Sequence, residues 1–292
     1  MAHHRASVSR TFVAGLVLFG ALGISIASAD EQPTSPPSIY MATTGAATNN
    51  ANGFDGTGVT VAVIDTGVAD VAGFDGKVIH QQNISSARNE GDQHGHGTFV
   101  AGHVHTVAPG ADIVSIKLSD SNGAVDVTQV LAALQWIIAN KSTYGVDVVN
   151  LSFGNDSQQS AYYSPLNYAV QQVWDQGIVV VASAGNAGGE PGTVTKPGDD
   201  PLIISVGSTD EKGTSYRSDD DIPSFVSRGP TQDGLAKPDL VAPGSRLESL
   251  RAPGSTVDIQ HPEARVGEDR FRGRHILLGT DRVRHCRADA LR

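Results

Sequence analysis

The chain has 292 residues, 39% of them apolar, which is enough for one large core plus appendages. A formal charge of −10 argues against nucleic acid as a partner, and the single cysteine, Cys286, excludes an intrachain disulfide. The charge is uneven: residues 30–269 hold 12 cations and 29 acids, a net of −17, whereas residues 270–292 hold seven arginines against two aspartates.

Residues 1–29 read as a secretory signal peptide. Arg5 and Arg10 open it, Phe12 to Ile26 form a glycine-interrupted apolar stretch, and Ala27-Ser28-Ala29 supply small residues for cleavage. A secreted product is the expectation, with no membrane association once the signal is removed. Residues 30–52 are rich in Pro, Ser, Thr, Ala and Asn and read as a flexible lead-in, too short for a folded prodomain. A folded domain is expected over 53–269.

Within that domain strands and helices alternate. Val59–Asp65, Asp112–Leu118, Val146–Phe153, Ile178–Ala184 and Leu202–Gly207 are β-branched and nearly continuous in apolar residues. Such runs suit parallel strands covered on both faces. Val127, Val130, Leu131, Leu134, Ile137 and Ile138 mark one helical face between them, and Leu166, Val170, Val173 and Trp174 mark another, stopped by Gly177. Pro238–Gly244 reads as a further short strand. The alternation predicts an α/β fold in three layers, with a mostly parallel central sheet flanked by helices. After about Gly267 the periodicity ends, and residues 270–292 read as an aberrant Arg-rich tail.

Chemistry concentrates at strand ends. Val59–Ile64 runs into Asp65-Thr66-Gly67, which places a carboxylate at the carboxyl edge of a buried strand, where open α/β sheets build their sites. His96 opens the block His96-Gly97-Thr98-Phe99-Val100-Ala101-Gly102, and Asn186 ends Ser183-Ala184-Gly185-Asn186. His94, His96, His103 and His105 also invite a metal reading. His96 and His103 lie two helical turns apart, about 10 Å along the axis, and no Glu stands between paired histidines. A catalytic metal is therefore not expected, and His103 and His105 read as ordinary helix residues.

The Asp65, His96 and Asn186 motifs, in that order, resemble those of the subtilisin-like serine proteases. So do Asn150-Leu151-Ser152-Phe153-Gly154, Phe225–Pro230 and Lys237–Gly244, so the likeness spans roughly Gly53 to Gly267. The resemblance implies a secreted endopeptidase acting on polypeptides as a monomer. It assigns Asp65 as the carboxylate that orients the base, His96 as general base, and Asn186 as side-chain donor to the oxyanion. Ser152, Phe153 and Gly154 would pair with substrate backbone, and Ser183, Ala184 and Gly185 would form the facing wall of a roomy primary pocket. No cofactor is required. Structural calcium is common in relatives, and Asp120 and Asp219-Asp220-Asp221 are acidic enough to be considered, without a recognisable ligand pattern.

The likeness breaks where the family presents Gly-Thr-Ser before a small-residue helix. This chain has Arg272-Gly273-Arg274-His275-Ile276-Leu277-Leu278 instead. Gly213-Thr214-Ser215 precedes the Lys237–Gly244 block and leads into acids, so Ser215 reads as a surface loop residue. A frameshift would account for the break. If residues 274–278 are encoded by CGG CAC ATC CTG CTC, one choice their sequence allows, reading one base later gives Gly-Thr-Ser-Cys and opens a Ser codon. The expectation is a subtilase chain lacking its nucleophile segment by truncation or frameshift, hence inactive. Its stability is reduced by roughly 6–12 kcal/mol for four missing buried aliphatic side chains. The rival expectation is a protease-like protein that binds peptides without cleaving them.

Overall fold

A computed structural model describes residues 35–273. The signal-peptide stretch, residues 30–34 and residues 274–292 lie outside the described residues.

The apolar runs become the strands of one sheet. They are β1 (Thr60–Asp65), β3 (Asp112–Lys117), β4 (Val146–Leu151), β5 (Val179–Ser183) and β6 (Ile204–Thr209), joined by β2 (Val78–Asn83) and β7 (Leu240–Pro243). Among the described residues this sheet has seven strands in the order β2-β3-β1-β4-β5-β6-β7, every pair parallel. Alternation along each strand divides the core. Val61 and Val63 of β1 face one layer with Phe99, Val100 and Val104, whereas Ala62 and Ile64 face the other with Val130, Leu134, Ile137, Leu166 and Val170. The first layer holds α3 (His96–Val107), and the second holds α4 (Val127–Tyr144) and α5 (Pro165–Asp175). Helix α4 starts in a capping box between Asp126 and Gln129 and stops at Gly145. Ser164 caps α5 in the same way, by accepting from the Asn167 amide.

The strand order reverses around β1: the chain runs from β1 out to β2, returns to β3, and then passes β1 to reach β4. Open α/β sheets form a crevice at the carboxyl ends of such strands.

Two sequence expectations are corrected. The flexible lead-in expected over 30–52 is, from Ser35 onward, folded against the domain. It forms α1 (Pro37–Thr44) and α2 (Ala46–Ala51), Tyr40 is fully buried, and Ser35 bridges to Leu247. Proline at the first helical position and Gly45 in the left-handed region set the limits of α1, so residues that composition marks as loop formers here act as helix punctuation. The tail expected from residue 270 begins later. Arg270–Arg272 is β10, the middle strand of a small antiparallel sheet between β8 (Glu248–Leu250) and β9 (Arg265–Val266). Phe271 is buried, and Arg272 pairs with Glu248 at 3.0 Å. A short helix, α6 (Thr256–Gln260), lies between β8 and β9.

Candidate active site

Asp65 is the last residue of β1 and His96 the first of α3. Both are buried, and His96 Nδ1 lies 2.7 Å from Asp65 Oδ1. A carboxylate only accepts, so this contact puts the ring proton on Nδ1 and leaves Nε2 as the basic nitrogen. The Thr66 amide also donates to Asp65 Oδ1, at 2.8 Å. Burial disfavours a charged His96 ring, yet the charge and hydrogen bond of Asp65, backed by Asp92, raise its pKa above the ordinary value.

Close backbone approach makes this pairing reachable. A Cβ on Gly97 would stand 2.1 Å from the Gly67 carbonyl oxygen, so only glycine lets the start of α3 reach the turn after β1. Gly67 itself has φ 102°, which also favours glycine.

His94 does not share the site. Its ring packs on Gly123, where an added Cβ would lie 2.5 Å from Nε2, and burial followed by the charge of His96 lowers its pKa. His103 faces the rings of Tyr40 and Phe99, and His105 reaches Asp75 at 3.5 Å. The histidines thus point to separate partners. Among the described residues no group of three or more His, Cys, Asp or Glu side chains converges to hold a metal. The acids considered for calcium serve their own loops: Asp120 accepts from the Asn122 amide, Asp219 from the Thr214 hydroxyl, and Asp221 pairs with Lys212.

The remaining predicted residues lie along the same edge. Ile64 is in register with Leu151, and Leu151 with Ala182, so Asp65, Ser152 and Ser183 follow at one level of three adjacent strands. Ser152 and Phe153 are buried, and Ser152 Oγ accepts from Asn150 at 2.8 Å. Beyond Gly154, Asn155 forms an antiparallel bridge with Lys196. Ser183 and Ala184 are buried, Gly185 has φ 107°, and Asn186 is exposed. Among the described residues no hydrogen bond joins Asn186 to the Asp65–His96 pair, and no serine hydroxyl bonds the imidazole. Ser215 is exposed in the loop after β6.

Sequence reasoning missed five contributors. Asp92, Thr66 and Thr98 form a network beneath His96, and Asp92 ahead of the helix is a start signal that could have been read. Lys117, buried at the end of β3, donates to the carbonyls of Thr66 (3.0 Å) and Gly91 (2.7 Å). Thr195 has no sequence signal, and it changes the picture of an open pocket. Its side chain stands 2.1 Å from where a Cβ on Gly154 would be and 2.6 Å from one on Gly185, so it narrows the gap between the two walls.

A buried Asp–His pair at the carboxyl edge of a parallel sheet is the constellation of a hydrolase that activates a hydroxyl. The Subtilase family model matches residues 56–271, and the chain belongs to that family. It is 34% identical over 239 residues to serine protease AprX of Bacillus subtilis (strain 168), covering 76% of this chain and 54% of AprX. Subtilisin DY of Bacillus licheniformis is 34% identical over 211 residues, with 68% of this chain and 69% of the relative covered. The crystal structure of a cold adapted subtilisin-like serine proteinase superposes with a TM-score of 0.61 at 27% identity, covering 82% of this chain and 77% of that one.

Proposed function

We propose that this chain is a secreted subtilisin-like serine endopeptidase whose reading frame has lost the nucleophile segment, so that it does not cleave peptides as encoded. The observation that carries the reading is the 2.7 Å contact between His96 Nδ1 and Asp65 Oδ1. Asp65 holds the ring so that Nε2 takes the proton of an attacking hydroxyl and later returns it to the leaving amine. Asn186 and a neighbouring backbone amide stabilise the oxyanion. An extended polypeptide lies along Ser152-Phe153-Gly154, with its primary side chain between that segment and Ser183-Ala184-Gly185. The attacking hydroxyl comes from Gly-Thr-Ser read one base later from codon 274.

Supporting this are the family assignment, the peptide substrates it implies, and a minor extracellular protease among the matched relatives. No helix among the described residues is long and apolar enough to cross a membrane. The protein acts as a monomer, with polypeptide substrates, no nucleic acid and no required cofactor. Any structural calcium lies at sites still to be assigned. Sequencing the coding DNA tests the frame directly. Codons at 274–276 that give Gly-Thr-Ser in a shifted frame are expected, and codons that cannot do so would refute it. The rival, a peptide binder that does not cleave, is favoured by the intact Ser152–Gly154 edge. It predicts a protease-resistant product that retains bound peptide.

A further inference from the structure

We infer that Asp92 is a positioning residue for His96, locking the start of α3 to the turn after β1 so that the imidazole meets Asp65. The inference rests on the reading of His96 as the general base. Asp92 is 7% exposed. Its Oδ1 accepts from the His94 amide (3.1 Å), the Gly95 amide (2.7 Å) and the Thr66 hydroxyl (2.8 Å). Its Oδ2 accepts from the Thr98 amide (2.8 Å) and the Thr98 hydroxyl (2.7 Å).

An ordinary capping side chain accepts one amide at the second or third helical position. Asp92 does that through Thr98 and also reaches a second element. Thr66 has one hydroxyl proton, and Asp92 takes it. The hydroxyl oxygen then faces the Gly97 amide with a free lone pair and accepts from it at 2.8 Å. Thr66 directly follows Asp65, and Gly97 directly follows His96. One hydroxyl therefore bridges the neighbours of both partners, and Asp92 sets which way that hydroxyl points. The Gly95 cap offers no side chain of its own, so α3 depends on this arrangement for its first amides. Behind it, Lys117 holds the Thr66 and Gly91 carbonyls and the Gln93 side chain.

The test is NMR of the full chain carrying isotope-labelled histidine, which needs no catalytic activity. Two quantities are read: solvent exchange of the His96 Nδ1 proton and the pH midpoint of the His96 ring. Asp92→Asn removes the negative charge and leaves one acceptor oxygen. It is expected to speed that exchange at least about tenfold, the factor for one charge-assisted hydrogen bond, and to lower the midpoint. Unchanged exchange and midpoint in Asp92→Asn would overturn the proposal. Because that variant could unfold, Thr66→Ser and Thr66→Val form a second pair. The serine keeps the bridging hydroxyl and should behave as the parent, whereas the isosteric valine should show the faster exchange. Identical behaviour of the two would equally overturn it. Asp65→Asn separates this from the parent reading. If Asp65→Asn leaves the His96 midpoint unmoved, the Asp–His pair itself fails, whatever Asp92 does.

Discussion

Two buried ionisable side chains outside the site give the molecule opposite responses to pH. His103 lies between the Tyr40 and Phe99 rings, and neither ring nitrogen has a partner among the described residues. Burial, with the nearby charge of Arg270, pushes its pKa down to about 3 from 6.5. The folded state therefore binds fewer protons than the unfolded one between those values. This stability is full above pH 6.5 and is lost as pH falls toward 3, by on the order of 4–5 kcal/mol. Glu211 is fully buried, with Oε2 accepting from the Ser35 hydroxyl at 2.8 Å and Oε1 without a hydrogen-bond partner among the described residues. Burial pushes its pKa up to about 7 from 4.5, despite that hydrogen bond. Its contribution is full below pH 4.5 and is lost as pH rises through 7, by roughly 3 kcal/mol. Between pH 4.5 and 6.5 the two slopes oppose each other and nearly cancel. Urea midpoints measured across pH should show the effect. His103→Leu is expected to flatten the acid limb, and Glu211→Gln the alkaline limb. A variant as steep as the parent on its own limb would refute that assignment.

Helices and strands explain which parts of the architecture the sequence reveals. Strands β1, β3, β4 and β5 are buried on both faces along most of their length, so their residues are mostly apolar and the runs stand out. Strand β2 is an edge, half-buried throughout, and its His80, Gln81 and Gln82 do not read as a strand. The His80 ring instead stacks on Tyr144 and Trp136 of α4, a contact between distant residues that no local pattern announces. Strands β8, β9 and β10 are two or three residues long with charged members, below the length at which alternation is legible. Helix α1 hid inside a loop-like composition because its anchoring rests largely on Tyr40. Tyr40→Ala should cost about 3–5 kcal/mol and raise amide exchange across 35–52, read by hydrogen-exchange mass spectrometry. Asp65 and His96 were legible because each sits at an abrupt change of pattern: an apolar run ending in an acid, and a histidine between glycines. Gly97 shows what that pattern enforces. Gly97→Ala should separate His96 from Asp65 and abolish the raised pKa of the ring, measurable by NMR titration. A ring pKa raised as far in Gly97→Ala as in the parent chain would contradict the close approach inferred from the Gly67 carbonyl.

At the scale of the whole molecule, the described residues carry the seven-stranded scaffold and the buried Asp65–His96 pair, and the family match runs to Phe271. On the proposed reading, the Gly-Thr-Ser segment would follow Gly273. If the proposed frame loss holds, the chain as encoded lacks a helix that the family packs on the domain, and marginal stability is expected of it. The reactive hydroxyl is the single group on which activity turns, and it can be probed directly. Purified full chain should be treated with a serine-directed fluorophosphonate and assayed on casein, alongside the chain read one base later from codon 274. The account predicts no labelling and no hydrolysis from the chain as encoded. The shifted chain should show both, and lose them on His96→Ala. Covalent labelling of a serine in the chain as encoded, with casein cleaved, would contradict the account.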